Sequence, residues 1–135
     1  MVQKLAWIFG IVTLAVGILG FVPGITTEGG MLLSIFQVDA MHNIVHILTG
    51  IVAIAAAMGA GTYARLYFQV FGALYALVAV LGFITGGSVL GMMMNMPDHL
   101  LHVLLAAFAL YVGFAMKESS APMAMGTPMS TGSTM

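Results

Sequence analysis

The sequence has no cysteine and very little charge, and each shortage excludes a class of function. Without cysteine there is no disulfide, no thiolate nucleophile and no zinc site built on sulfur. The absence of cysteine also gives no indication of whether the protein's compartment is oxidising or reducing. Only three Lys or Arg and four Asp or Glu occur among the 135 residues. So few cations cannot form a basic surface that neutralises phosphates, and we therefore expect no nucleic-acid partner.

Most of the sequence is hydrophobic, and its apolar runs are long enough to cross a bilayer. Hydrophobic residues make up 61% of the chain, and the mean hydropathy is +1.13. A hydrocarbon core about 30 Å thick needs roughly 20 apolar residues in a helix. Open strands would leave backbone groups unpaired there, so the spans should be helical. The sequence predicts an all-α transmembrane domain over residues 1–116, with four spans at approximately 5–22, 41–60, 66–85 and 99–116.

The few charges predict how the spans are oriented. Lys4, Arg65 and Lys117 all fall on one side of a four-span threading, and the positive-inside rule makes that side cytoplasmic. This predicts an integral membrane protein with both termini in the cytoplasm and all four histidines at the outer face. The final segment, 117–135, is rich in Met, Ser, Thr and Pro, and we expect it to be a disordered cytoplasmic tail unless a partner holds it.

The two halves of the sequence look like copies of one helical hairpin. LGFV and HNIVHIL in the first half correspond to LGFI and DHLLHVL in the second, at residues 19–22, 42–48, 81–84 and 98–104. This register matches the polar residues as follows: His42 with Asp98, Asn43 with His99, and His46 with His102. Each half starts and ends inside, so the repeat is parallel, with its axis along the membrane normal. The predicted fold is a four-helix transmembrane bundle of two such hairpins.

Three stretches of the chain resemble a known family. They are HNxxHxxxG at 42–50, RLYFQVFGALYALVAVLGF at 65–83 and the DxxLH-like end at 98–102. They are similar to the bacterial membrane family called domain of unknown function 4383, over roughly residues 5 to 115. The resemblance implies a small four-helix protein of a bacterial cytoplasmic or internal membrane and no particular activity. The positions that match its motifs are His42, Asn43, His46, Gly50, Gly72, Gly82, Asp98 and His102, whereas His99 and the methionines depart from it.

The histidines predict a ligand site at the outer face. His42 and His46 are four residues apart, as are Asp98 and His102, so each pair lies on one helix face. Imidazole suits Zn, Cu, Fe and Ni, and the candidate metal ligands are His42, His46, His99, His102 and Asp98. Copper(I) would also accept thioethers from Met92, Met93, Met94 or Met96. Alternatively, His46 and His102 could ligate haem or chlorophyll axially.

A structural role for the same residues is the competing interpretation. Asp39 and Asp98 stand where a helix N-terminus presents unpaired N–H groups and partial positive charge. Neutral histidines could then hydrogen-bond across the helix ends, and the methionines could be interfacial filler. Under this interpretation the structural polar cluster comprises Asp39, His42, Asn43, His46, Asp98 and His102.

The remaining features favour a non-enzymatic protein. No Ser-His-Asp order is recognisable, and Asp98 with His102 has no evident nucleophile, so we assign no catalytic residues. Small residues let membrane helices approach closely, and we assign this packing role to Gly10, Gly17, Gly20, Gly50, Gly72 and Gly82. The preferred function is an accessory or structural subunit that packs in the lipid bilayer against other membrane subunits or copies of itself. A metal, haem or chlorophyll protein is the alternative. A small permease ranks third, since polar groups along a path are few.

Overall fold

The computed structural model describes residues 1–118 and contains four long helices. They are α1 Val2–Leu19, α2 Ala40–Ala57, α3 Ala64–Thr85 and α4 Met96–Leu110, which continues as a π-helical turn, Tyr111–Ala115. Each is long and apolar enough to cross a membrane. α1 packs mainly against α2, and α3 against α4. The predicted all-α bundle of two helical hairpins is confirmed, and the chain is an integral membrane protein. From residue 119 onward, the predicted tail lies outside the described residues.

Local hydrogen bonds shift the helix bounds from those predicted. α1 begins three residues early, where Gln3 Nε2 donates to Ala57 O and Gly59 O at 2.9 and 2.8 Å and ties α1 to the end of α2. α2 ends at Ala57 instead of residue 60, because Met58 is extended and glycines follow. α4 starts at Met96 instead of residue 99. Its first turn is set by a capping box in which Asn95 and Asp98 exchange side-chain and backbone hydrogen bonds.

Two short antiparallel β-hairpins join the helices at one end of the bundle, where the sequence predicted only loops. β1 Met31–Leu32 pairs with β2 Phe36–Gln37, and β3 Ser88–Val89 pairs with β4 Met92–Met93. The second turn consists of Leu90 and Gly91, both with positive φ, which suits the twist of a two-residue hairpin. We call this part of the bundle, residues 20–39 and 86–95, the hairpin end.

The glycines pack the helices within each hairpin in the predicted repeat register. Gly20 lies against the side chain of Asn43, and its repeat equivalent Gly82 lies against His99. The six predicted packing glycines all face the partner helix of their own hairpin, as the atoms around Gly10, Gly17, Gly20, Gly50, Gly72 and Gly82 show. The space beside these glycines is therefore occupied by atoms of the neighbouring helix in the same chain.

Aromatic side chains fill the space between the two hairpins. Phe9 of α1 packs edge-to-face against Phe68 and Tyr75 of α3, with ring centroids 5.7 and 6.0 Å apart. Phe108 of α4 stacks on Phe9 at 6.2 Å. Such pairs contribute about 0.5–1.5 kcal/mol each beyond their buried area. The two helical hairpins thus meet through bulky aromatic rings.

Gly50→Leu tests the glycine packing. A Cβ at position 50 would lie 2.6 Å from Leu14 N and 2.8 Å from Gly10 O, both backbone atoms that cannot rotate away. We expect a loss of roughly 1–3 kcal/mol of unfolding free energy in detergent, the usual cost of overpacking. Ala55→Leu, at an exposed position of the same helix, is the control and should unfold like the wild type. Equal stability of the two variants would contradict this packing.

Candidate metal centre

The first turn of α2 positions two histidines. Asp39 is extended and caps the helix, since its Oδ1 accepts from His42 N at 2.9 Å. One turn later His46 lies on the same face, and the two ring centroids are 4.9 Å apart. The cap therefore fixes both imidazoles at the start of the helix, beneath the hairpin end.

α4 brings a third histidine to the same place. The capping box at Asn95 and Asp98 starts α4, and His102 follows one turn after Asp98. Its ring centroid lies 5.9 Å from that of His42 and 6.3 Å from that of His46. Each of the three residues offers a ring nitrogen, and these atoms all lie within 4.8 Å of one another. His42 and His102 are buried, whereas His46 is partly buried.

Backbone carbonyls determine which ring nitrogens carry the protons. His42 Nδ1 lies 3.1 Å from Gln37 O and 3.3 Å from Met93 O, and His102 Nδ1 lies 2.7 Å from Asp98 O. A carbonyl only accepts, so Nδ1–H is the donor in both rings, and a neutral imidazole then keeps a lone pair on Nε2. Metal-binding histidines commonly donate their second nitrogen in this way.

Two of the nitrogens in the cluster are buried without a partner. Among the described residues, His42 Nε2 and His46 Nδ1 are enclosed and make no hydrogen bond. An unpaired buried polar atom costs about 1–3 kcal/mol. The cluster is thus arranged to satisfy one nitrogen of His42 and His102 internally and to leave other nitrogens open.

A small cavity adjoins the three histidines. Its volume of about 30 Å³ exceeds the roughly 10–15 Å³ needed for one water-sized particle, but small-molecule pockets start near about 300 Å³. The space favours a single ion over a haem or chlorophyll macrocycle. The lining residues are His42, Val45, His46, Thr49, Tyr75, Val78, Met92, Met94 and His102.

A second cavity borders the same histidines on the side of the first hairpin. Its volume is about 110 Å³. Apart from the histidines and Asp98, its lining is apolar: Val16, Leu32, Leu33, Phe36, Val38 and Leu101. The three imidazoles therefore separate two spaces of unequal size.

The carboxylates hold the site together by crossing between the repeats. Asp39 caps α2 and also accepts from Met93 N in the second β-hairpin. Asp98 accepts from Asn95 N in the capping box of α4 and from Gln37 N in the first β-hairpin at 3.0 Å. Gln37 and Met93 are equivalent in the repeat, each five residues before the matched pair His42 and Asp98. Each acid therefore fixes its own helix and the connection of the other half.

Hydrogen bonding controls the charge of Asp39. Burial on its own would raise the pKa of this carboxyl, but the N–H groups of Met93 and His42 outweigh burial and hold the pKa below its usual value. Asp39 is therefore a carboxylate at neutral pH. It places negative charge one helical turn from the histidine cluster.

Three of the five predicted metal ligands, His42, His46 and His102, converge, and the other two lie in different contacts. Asp98 uses its Oδ2 for the N–H groups of Gln37 and Asn95. His99 points toward α3, where its ring packs on Gly82 and lies 5.5 Å from the ring of Phe83. Its repeat equivalent Asn43 faces α1 at Gly20 in the same way. Asp98, His99 and Asn43 therefore hold helices, while His42, His46 and His102 face the cavity.

Sequence reasoning missed two lining residues that lie deeper in the bundle. Tyr75 has a buried hydroxyl without a hydrogen bond in the described structure, and its ring centroid is 5.9 Å from that of His102. Thr49 lies one turn below His46, and its carbonyl accepts from Tyr67 Oη at 3.1 Å. A polar group within an otherwise apolar span was the available signal.

Comparison with known proteins supports the family resemblance. The sequence model of the family described as Domain of unknown function (DUF4383) matches residues 3–115. No curated protein matches the chain. No solved structure matches it.

Asp39→Asn tests the crossed carboxylates, with Asp98→Asn as the matched control. Asp39 uses both oxygens, so an amide there loses either the cap on His42 N or the bond from Met93 N. Asp98 uses Oδ2 for both of its donors, and a single amide oxygen can replace it. We expect Asp39→Asn to lower the unfolding free energy in detergent by about 1.5–3 kcal/mol and Asp98→Asn to lower it less. The reverse order would contradict the crossed arrangement.

Proposed function

Because the chain belongs to the family described as Domain of unknown function (DUF4383), whose name assigns no activity, we propose a function from the site itself. The protein is a small non-enzymatic membrane protein that binds one transition-metal ion between His42, His46 and His102. The observation that carries this proposal is the convergence of three ring nitrogens within 4.8 Å of one another beside a cavity of ionic size.

The hydrogen bonds support a ligand role over a purely structural one. In a structural cluster we would expect the imidazoles to pair with each other or with Asn43 and the acids. Instead Nδ1 of His42 and of His102 donates to backbone carbonyls, while His42 Nε2 is buried without a partner. A cation would satisfy the open lone pairs. The nearby carboxylate of Asp39 would compensate part of its charge.

The packing of the bundle favours this site over the other two predicted functions. An accessory subunit was predicted from glycine faces offered to a partner, but these faces are filled by the chain's own helices. A permease needs a polar path through the bundle. Between the hairpins the described chain places the rings of Phe9, Phe68 and Phe108. We therefore propose binding at one membrane face and not passage through the bundle.

His46→Ala tests the proposal. The buried Nδ1 of His46 makes no hydrogen bond, so the substitution breaks none at that atom. The lost packing of the ring is measured separately as a change in the melting temperature of the metal-free protein. We expect purified wild-type protein to bind close to one copper or zinc ion, and His46→Ala to bind it more than about 100-fold more weakly. Metal analysis and metal-dependent shifts of the melting temperature measure this.

His99→Ala is the control for that experiment, since it removes a buried histidine outside the cluster. It should keep the wild-type affinity even where its own packing loss lowers the melting temperature. A metal-free wild type, or equal affinity in wild type and His46→Ala, would contradict the metal site.

We also propose that this site lies on the outer side of a bacterial cytoplasmic membrane. This orientation is supported by Lys4 and Arg65, which lie at the opposite end of the bundle, under the positive-inside rule. The chain has no cysteine, so single cysteines can report topology. Leu90→Cys at the exposed tip of the second hairpin should react with an impermeant maleimide on intact cells. Met58→Cys, exposed at the opposite end, should react only after permeabilisation, and the reverse pattern would invert the orientation.

A further inference from the structure

The second β-hairpin, formed by β3 and β4, directs two methionine side chains inward and one outward. Successive side chains of a strand point to opposite faces. Accordingly, Met92 and Met94 are only 5% and 4% exposed, whereas Met93 between them is 50% exposed. Both buried methionines line the 30 Å³ cavity that adjoins the three histidines. Thioethers and imidazoles therefore border the same small space.

The two halves of the repeat differ at these positions. The repeat matches Met92 and Met94 with Phe36 and Val38, which line the larger, apolar cavity on the other side of the histidines. The equivalent positions of the first hairpin thus carry no donor atom. Among the described residues that line the two cavities, sulfur borders the cluster on the side of the smaller cavity.

We propose that the metal at this site is copper(I), held by the imidazoles together with the thioether sulfur of Met92, Met94 or both. This inference rests on the proposed function, since it needs the three histidines as ligands. Thioethers are soft ligands that select copper(I), whereas zinc is bound by imidazole, thiolate and carboxylate. The donor set that borders the cavity contains imidazole and thioether, and the chain has no thiol.

Charge and burial support the same ion. Every one of these donors is neutral, so a bound copper(I) leaves a single positive charge in a largely apolar pocket. Taking a charge out of water is costly, and the cost rises with its magnitude. A monovalent ion beside Asp39 is therefore better suited to this site than a divalent one.

Apolar packing is the alternative explanation of the two methionines. Together with Val89 they form a small core that also includes Val45, Val78 and Leu81. Packing alone requires only volume, and leucine replaces methionine with little loss in most cores. Replacement by leucine therefore separates the two roles.

The experiment compares copper(I) and zinc affinity in full-length protein in detergent under anaerobic conditions, by competition with chromophoric chelators. The test variant is Met92→Leu/Met94→Leu, and the control is Met93→Leu on the exposed face of the same strand. We expect the double variant to bind copper(I) at least about tenfold more weakly with zinc affinity unchanged. The control should bind both metals like the wild type.

The remaining outcomes separate this inference from the proposed function. Unchanged copper(I) affinity in the double variant overturns the thioether role, while loss of metal in His46→Ala keeps the histidine site. A wild type that binds zinc but not copper(I) also overturns the thioether role and keeps the histidine site. A wild type that binds neither metal overturns the thioether role and the histidine site together. If both metals weaken together, copper X-ray absorption on the wild type decides. Sulfur scattering at the metal supports the inference, and a nitrogen-only shell overturns it.

Discussion

The imidazole of His42 joins the two repeats at the hairpin end. Its Nδ1–H lies between the carbonyls of Gln37 and Met93, two residues that the repeat makes equivalent. The carboxylates of Asp39 and Asp98 accept the N–H groups of the same two residues crosswise. The N–H and the C=O of both residues are thereby hydrogen-bonded, which fixes the position of the imidazole of His42 beside them. The cavity, the open nitrogens and the spacing of the helix starts all depend on this arrangement.

Small and large residues have different packing roles in the bundle. Glycines bring α1 onto α2 and α3 onto α4, whereas the aromatic rings of Phe9 and Phe68 separate the hairpins. Because no hydrophobic effect drives association within lipid, close packing and hydrogen bonds hold such helices together. The polar chemistry is consequently confined to one end, where the connecting strands supply the backbone partners that a membrane interior lacks. A metal site there would be rigid before the ion arrives.

Hydropathy and the repeat were sufficient to predict the four spans, the pairing of hairpins and the approach of His46 to His102. They could not place His99, because a three-residue separation from His102 leaves it on a neighbouring face of α4, and only packing on Gly82 decides which. The β-hairpins were missed since each strand has two residues, too few for a periodic pattern. For the same reason the inward-facing Met92 and Met94 could not be distinguished from the outward-facing Met93 before the strands were known. Asp98 was predicted as a ligand because it lies four residues before His102, whereas its hydrogen bond from Gln37 N, 61 residues away in the chain, leaves no local pattern in the sequence.

The most direct test of the central claim is an anomalous-difference map of crystals of the protein grown with copper or zinc, recorded on either side of the metal absorption edge. The account predicts one strong peak enclosed by His42, His46 and His102, which borders the cavity lined by Met92 and Met94. A map without a peak there, from protein whose hairpin end has the described hydrogen bonds, would contradict the account and leave the three imidazoles as structural groups.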